Sequence, residues 1–152
     1  MDQDAFRRTY REINERNCLY EKSILSRRCG CTQSRKLCIA EREGVQCEAE
    51  AGRQQCQEFL ELLRQHARFA LKTNDLQAVL PHGKAMRLQI GGLRGLHLLL
   101  HPGRELPETF EDIFALISQA REEFGGLDQL PYEPLIQQVT AYQGRRRSRG
   151  RR

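Results

Sequence analysis

The sequence has no tryptophan, and only 7% of its residues are aromatic. So few rings leave no stacking platform for single-stranded nucleic acid. No apolar run approaches the ~20 residues that span a bilayer; the longest, residues 93–100, is short and interrupted. The N-terminus, MDQDAFRRTYREINERN, lacks the apolar segment of a secretory signal, so the expected location is the cytoplasm. Cysteine is missing from the last 96 residues. No C-x2-C occurs, which removes the standard zinc fingers and the ferredoxin run. Gly83-Lys84 has no upstream phosphate-loop glycine, and no metalloprotease glutamate stands between His97 and His101. With no catalytic constellation, a non-catalytic role is expected.

What is present is a cluster of thiols. Cys18, Cys29, Cys31, Cys38, Cys47 and Cys56 stand as C-x10-C-x-C-x6-C-x8-C-x8-C within 39 residues. In a reducing cytoplasm such a set favours metal ligation over disulfides. All six are candidate ligands, and the C-x-C pair can place two sulfurs on one ion or cluster. An iron–sulfur cluster is the leading expectation and zinc the alternative, since both take thiolates. Arg27, Arg28, Arg35 and Lys36 would offset the negative charge. A second reading joins the cysteines as disulfides between paired helices. Residues nine apart fall on opposite faces of a helix, however, which suits a hairpin badly. In a third, cysteines such as Cys38 and Cys56 are small core residues.

The net charge of +5 is local. Arg145, Arg146, Arg147, Arg149, Arg151 and Arg152 carry it, and without these six the chain is at −1. The tail, 145–152, is expected to be disordered and to bind either an acidic or redox protein partner or, less favourably, nucleic acid.

Apolar spacing predicts helices over about 4–17, 18–29, 34–43 and 49–72, with a further turn at 75–80. Gly44 stands as the stop of the third, and Cys47 on a loop beyond it. Met86, Leu88 and Ile90 alternate, which predicts a short extended segment near 85–90. Gly91, Gly92 and Gly95 then allow close packing or an approach to an anion. Phe110, Ile113, Phe114, Ile117, Ala120 and Phe124 form a helical stripe stopped by Gly125-Gly126, with Thr109 and Asp112 placed to cap it. A last helix starts near Pro134. The expected fold is mainly α: a single helical domain over 1–144, its cysteine-rich part (18–56) organised by metal.

The leading functional expectation is an accessory metalloprotein that docks onto a protein partner, in electron transfer or cofactor assembly. The alternative is a nucleic-acid-associated module with structural zinc and a basic tail. A third class is an enzyme using Cys56 as a reactive thiol, its pKa lowered by a helix N-terminus.

Overall fold

The computed structural model describes residues 2–73, 75–76 and 78–143; the arginine tail lies outside them. The chain is mainly helical. Helices α1 (Gln3–Ile13) and α2 (Glu21–Leu25) precede a hairpin of β1 (Ser34–Ile39) and β2 (Arg42–Cys47). Then come α3 (Glu50–Ala67), α4 (His82–Leu100), α5 (Ile113–Phe124), a 3₁₀ turn at Leu127–Gln129 and α6 (Tyr132–Ala141). No helix among the described residues is long and apolar enough to cross a membrane.

The hairpin replaces the helix expected over 34–43. Its strands pair antiparallel from Ser34 with Cys47 to Ile39 with Arg42. Ala40 takes the left-handed turn position, at φ 56°. The two-residue period explains the burial. Ile39 faces inward while Cys38, one residue away, is exposed; Val45 and Cys47 share the buried side. Gly44 ends no helix. It lies in β2 beneath Tyr10, where a Cβ would come within 3.0 Å of the ring.

The segment near 85–90 is not extended either, but part of α4. That helix is buried on nearly every side from Ala85 to Leu96, so no single apolar stripe marks it and the alternation at 86–90 is incidental. Its glycines are used for packing. A Cβ at Gly91 would fall 2.5 Å from the Val139 Cα, and one at Gly95 would fall 2.8 Å from the Leu135 Cα. The backbones of α4 and α6 meet there. Gly92 leaves room for the Leu63 side chain of α3. Helix α3 forms within the expected 49–72 span but ends at Ala67, with Phe59, Leu63 and Ala67 buried. One apolar cluster joins α2, β2, α3, α4, α5 and α6.

Phe110 precedes α5 instead of belonging to it, and forms a parallel bridge with Cys29. Asp112 is the N-cap residue but caps nothing through its side chain. Its carboxylate accepts from the Thr32 backbone N–H at 3.1 Å and the Thr32 hydroxyl at 2.9 Å. Gly125, at φ 79°, closes the helix in the left-handed conformation. The region 75–80 holds no helix among its described residues, and the last helix starts two residues before Pro134.

Candidate metal centre

Four of the six thiols line one cavity of about 20 Å³: Cys18, Cys31, Cys47 and Cys56. That is somewhat more than a single water needs. Leu19, Tyr20, Gly52, Ile113 and Phe114 supply its apolar wall, with Arg53, Gln33 and Ser34 at its edges. All six cysteines are free thiols, so the disulfide reading does not describe this structure. Among the described residues, no three His, Cys, Asp or Glu side chains are gathered as a single ion would need them. The four cysteines share the wall of one cavity without forming a ready-made ligand set.

Each thiol arrives from a different segment. Cys18 follows α1, and its N–H donates to the Val45 carbonyl of β2 at 2.9 Å. Glu21 braces the same turn, since one carboxylate oxygen accepts from Tyr10 Oη and from the Val45 N–H, both at 2.7 Å. Cys31 sits on the arm between α2 and β1. The neighbouring Gly30 donates to the Phe110 carbonyl at 2.8 Å and accepts from the Ile113 N–H at 2.9 Å. Cys47 ends β2, and its thiol donates to the Ala49 carbonyl at 3.2 Å. Cys56 comes from the second turn of α3, where Gly52 lets Phe114 approach to 3.1 Å of a virtual Cβ.

Backbone donors point at two of these sulfurs. The Tyr20 N–H donates to Cys18, and the Gln33 and Phe114 N–H groups donate to Cys31. Phe114 lies in the first turn of α5, where N–H groups have no helical partner. Such donors favour a sulfur that carries negative charge. Arg53 adds a cation. Its guanidinium is held by the Asn17 carbonyl at 2.9 Å and the Asn17 side chain at 3.1 Å, and it lowers the pKa of Cys56. Arg53 lines the cavity, whereas Arg27, Arg28, Arg35 and Lys36 do not.

Burial outweighs these effects. It pushes the Cys18 and Cys29 thiols up to about 12, with the neighbouring thiols adding to the rise. Cys31 and Cys56 are raised too, by burial first. The lowered pKa expected for Cys56 as a nucleophile is therefore reversed. The metal-free protein should show this in its alkaline stability. A thiol raised from 9.0 to about 12 contributes stability that is intact below pH 9.0. It is lost as pH climbs towards 12, because the unfolded chain releases the proton first. In chelator, the urea midpoint should hold up to about pH 8.5 and then fall. Cys29→Ala should make that fall shallower. An identical fall in wild type and variant would refute the assignment.

The other two cysteines stand apart. Cys29 is buried close enough to be influenced by Cys18 and Cys31, but it does not line the cavity. Cys38 is exposed on β1, so it is not a core residue. The histidines lie elsewhere. His97 Nε2 lies 3.1 Å from the Glu105 carbonyl, with the His101 ring 5.1 Å away. His66 stacks on Tyr132 at 4.4 Å. The glycines at 91, 92 and 95 are covered by α6 and α3, which leaves no anion site there.

Reasoning on the sequence missed Tyr20, Arg53 and Phe114. No motif marks them, although Tyr20 two residues after Cys18 and Phe114 in the first turn of a helix are both positions from which backbone N–H groups reach a sulfur. No protein-family model, curated protein or solved structure matches this chain.

Proposed function

We propose that Cys18, Cys31, Cys47 and Cys56 hold a metal centre, and that the chain is a non-catalytic accessory protein docking onto a protein partner. One observation carries the reading: four thiols from four separate segments line the same apolar cavity. The N–H donors at Cys18 and Cys31 and the Arg53 guanidinium support it, since buried thiolates need compensation for their charge. An iron–sulfur cluster is proposed first and zinc second, because both take thiolate ligands and four thiols could serve either; with a cavity of about 20 Å³, the four side chains would have to rearrange around the metal. When bound, a cluster would supply one-electron chemistry. Arg145, Arg146, Arg147, Arg149, Arg151 and Arg152 are assigned to docking an acidic or redox protein; nucleic acid is the alternative partner.

The test is protein purified without oxygen, examined by visible spectrum and by iron, zinc and sulfide analysis. A brown protein with iron and sulfide in near-equal amounts is the expected result. A colourless protein with one zinc per chain would transfer the site to structural zinc. Six titratable thiols and no metal would end the proposal. Removing residues 145–152 should leave the metal content unchanged and weaken only partner binding.

A further inference from the structure

A larger space shares a wall with the thiol cavity, since Leu19 and Arg53 line both. It is a groove of about 740 Å³. Helix α3 lines it with Arg53, Gln57, Leu60 and Arg64. These recur at i, i+4, i+7 and i+11, so they share one face of the helix. Arg53 and Arg64 stand about 16 Å apart along it. Helix α4 supplies Ala85, Leu88 and Gln89, and the segment between the two helices supplies Leu76, Val79 and Leu80. The groove offers apolar surface: Val79 is 93% exposed, and the partly buried Leu19, Leu60, Leu76 and Leu80 lie with it. It also carries positive charge. Among the described residues, Lys22, Arg53 and Arg64 line it against one carboxylate, Glu61. Arg53 donates to the Asn17 carbonyl and side chain, and Arg64 to the Asp75 and Ala78 carbonyls. These acceptors are neutral and leave both charges in place. Gln89 adds a donor. It is only 8% exposed, and its Oε1 accepts from the Ser23 hydroxyl at 2.6 Å. Its Nε2 donates to nothing among the described residues. A buried donor without an acceptor is destabilising until something supplies one.

We propose that this groove docks an acidic amphipathic helix of a protein partner. The inference rests on the docking part of the reading above and needs no metal. About three helical turns cover the span from Arg53 to Arg64. Apolar residues at i, i+3 and i+7 of such a helix cover the leucines and Val79, in the manner of other helix-in-groove contacts. Carboxylates flanking that stripe meet Lys22, Arg53 and Arg64, and charge-assisted hydrogen bonds of this kind are the strong ones. A polar side chain of the partner gives Gln89 Nε2 its acceptor. A lipid chain would cover the same leucines but leave the amide and all but one of the cations unanswered.

The probe is a fluorescein-labelled synthetic peptide of about four helical turns, with a leucine stripe flanked by glutamates. Fluorescence anisotropy on the full chain reads its binding. It should bind at least about tenfold tighter than a scrambled peptide of the same composition, which keeps the charge and loses the apolar face. A version with lysine for glutamate should also bind at least about tenfold more weakly. Val79→Asp should keep the wild-type Tm, because Val79 is exposed, and lose at least about tenfold in affinity. Lys22→Glu should weaken the acidic peptide and strengthen the lysine one. Deleting residues 145–152 should leave the difference between amphipathic and scrambled peptides intact. Equal binding of those two peptides, or of wild type and Val79→Asp, would overturn the groove while leaving the arginine tail as the docking element. A wild-type dimer that Val79→Asp turns into a monomer would give the groove to a second copy and overturn the proposal as well. No binding of either acidic peptide would remove the groove and the acidic-partner reading together.

Discussion

On the proposed four-cysteine centre, Cys56→Ser protein is expected to emerge from anaerobic purification without metal, and so are Cys18→Ser, Cys31→Ser and Cys47→Ser. Cys38→Ser should keep a full complement. The difference follows from placement, since the first four thiols line one cavity and Cys38 is exposed on a strand. A metal bound only by the folded state contributes its binding energy to folding, an apparent free energy of ~10–16 kcal/mol for small zinc domains. That matches or exceeds the ~5–15 kcal/mol net stability of a typical protein. Each of the four variants should therefore lose about 4–5 kcal/mol or more, the size typical of a lost metal. Cys38→Ser should stay within about 0.5 kcal/mol of wild type. Cys29→Ser is the discriminating control: Cys29 is buried but does not line the cavity, so metal content should survive a loss of stability. Metal analysis and urea denaturation on the six variants settle the matter. Unchanged metal in Cys47→Ser or Cys56→Ser would mean that another set of thiols does the ligating.

The second large effect is expected far from the cysteines. Gly91→Val should cost about 3 kcal/mol or more. A Cβ there would lie 2.5 Å from the Val139 Cα and 2.9 Å from the Gln138 carbonyl oxygen. Both are backbone atoms, so no rotamer change relieves the clash and α4 must part from α6. Valine also gains little from its helix propensity. Gly83→Ala gives the opposite sign in the same helix. Nothing lies within 4 Å of its virtual Cβ, so alanine should stabilise by about 0.4–1 kcal/mol. Thermal denaturation of the pair checks both. A Gly91→Val protein as stable as wild type would mean that α4 and α6 do not touch in solution.

The sequence was most legible where an element has one wet side. The α3 stripe of Phe59, Leu63 and Ala67 and the α5 stripe of Ile113, Ile117 and Ala120 are single apolar faces, and both helices form where that periodicity lies. It was misleading where an element has no wet side, or is too short to show a period. In α4, burial runs around the whole helix, and three alternating apolar residues looked like a strand. In the hairpin, Leu37 and Ile39 on one strand and Val45 and Cys47 on the other alternate, but four residues are too few to establish a two-residue period. The thiols were visible as a set but not as a site. The nine-residue recurrence of Cys29, Cys38, Cys47 and Cys56 mixes two cavity residues with two outsiders. Only the hairpin register and the 29–32 arm, fixed by contacts about 80 residues away, separate them.

That distance has a consequence for how the chain is made. Cys18, Cys47 and Cys56 leave the ribosome early, with α1, the hairpin and α3. Cys31 leaves with them, but the groups that hold its arm do not. The Phe110 carbonyl, the Asp112 carboxylate and the Phe114 N–H all belong to the start of α5. At about 5–20 residues per second, the nascent chain spends several seconds with three anchored thiols and one loose one. Through that interval the apolar floor formed by Ile113 and Phe114 is also missing. The four-cysteine cavity is thus complete only after synthesis has passed the start of α5, in a chain whose cysteines all lie within the first 56 residues.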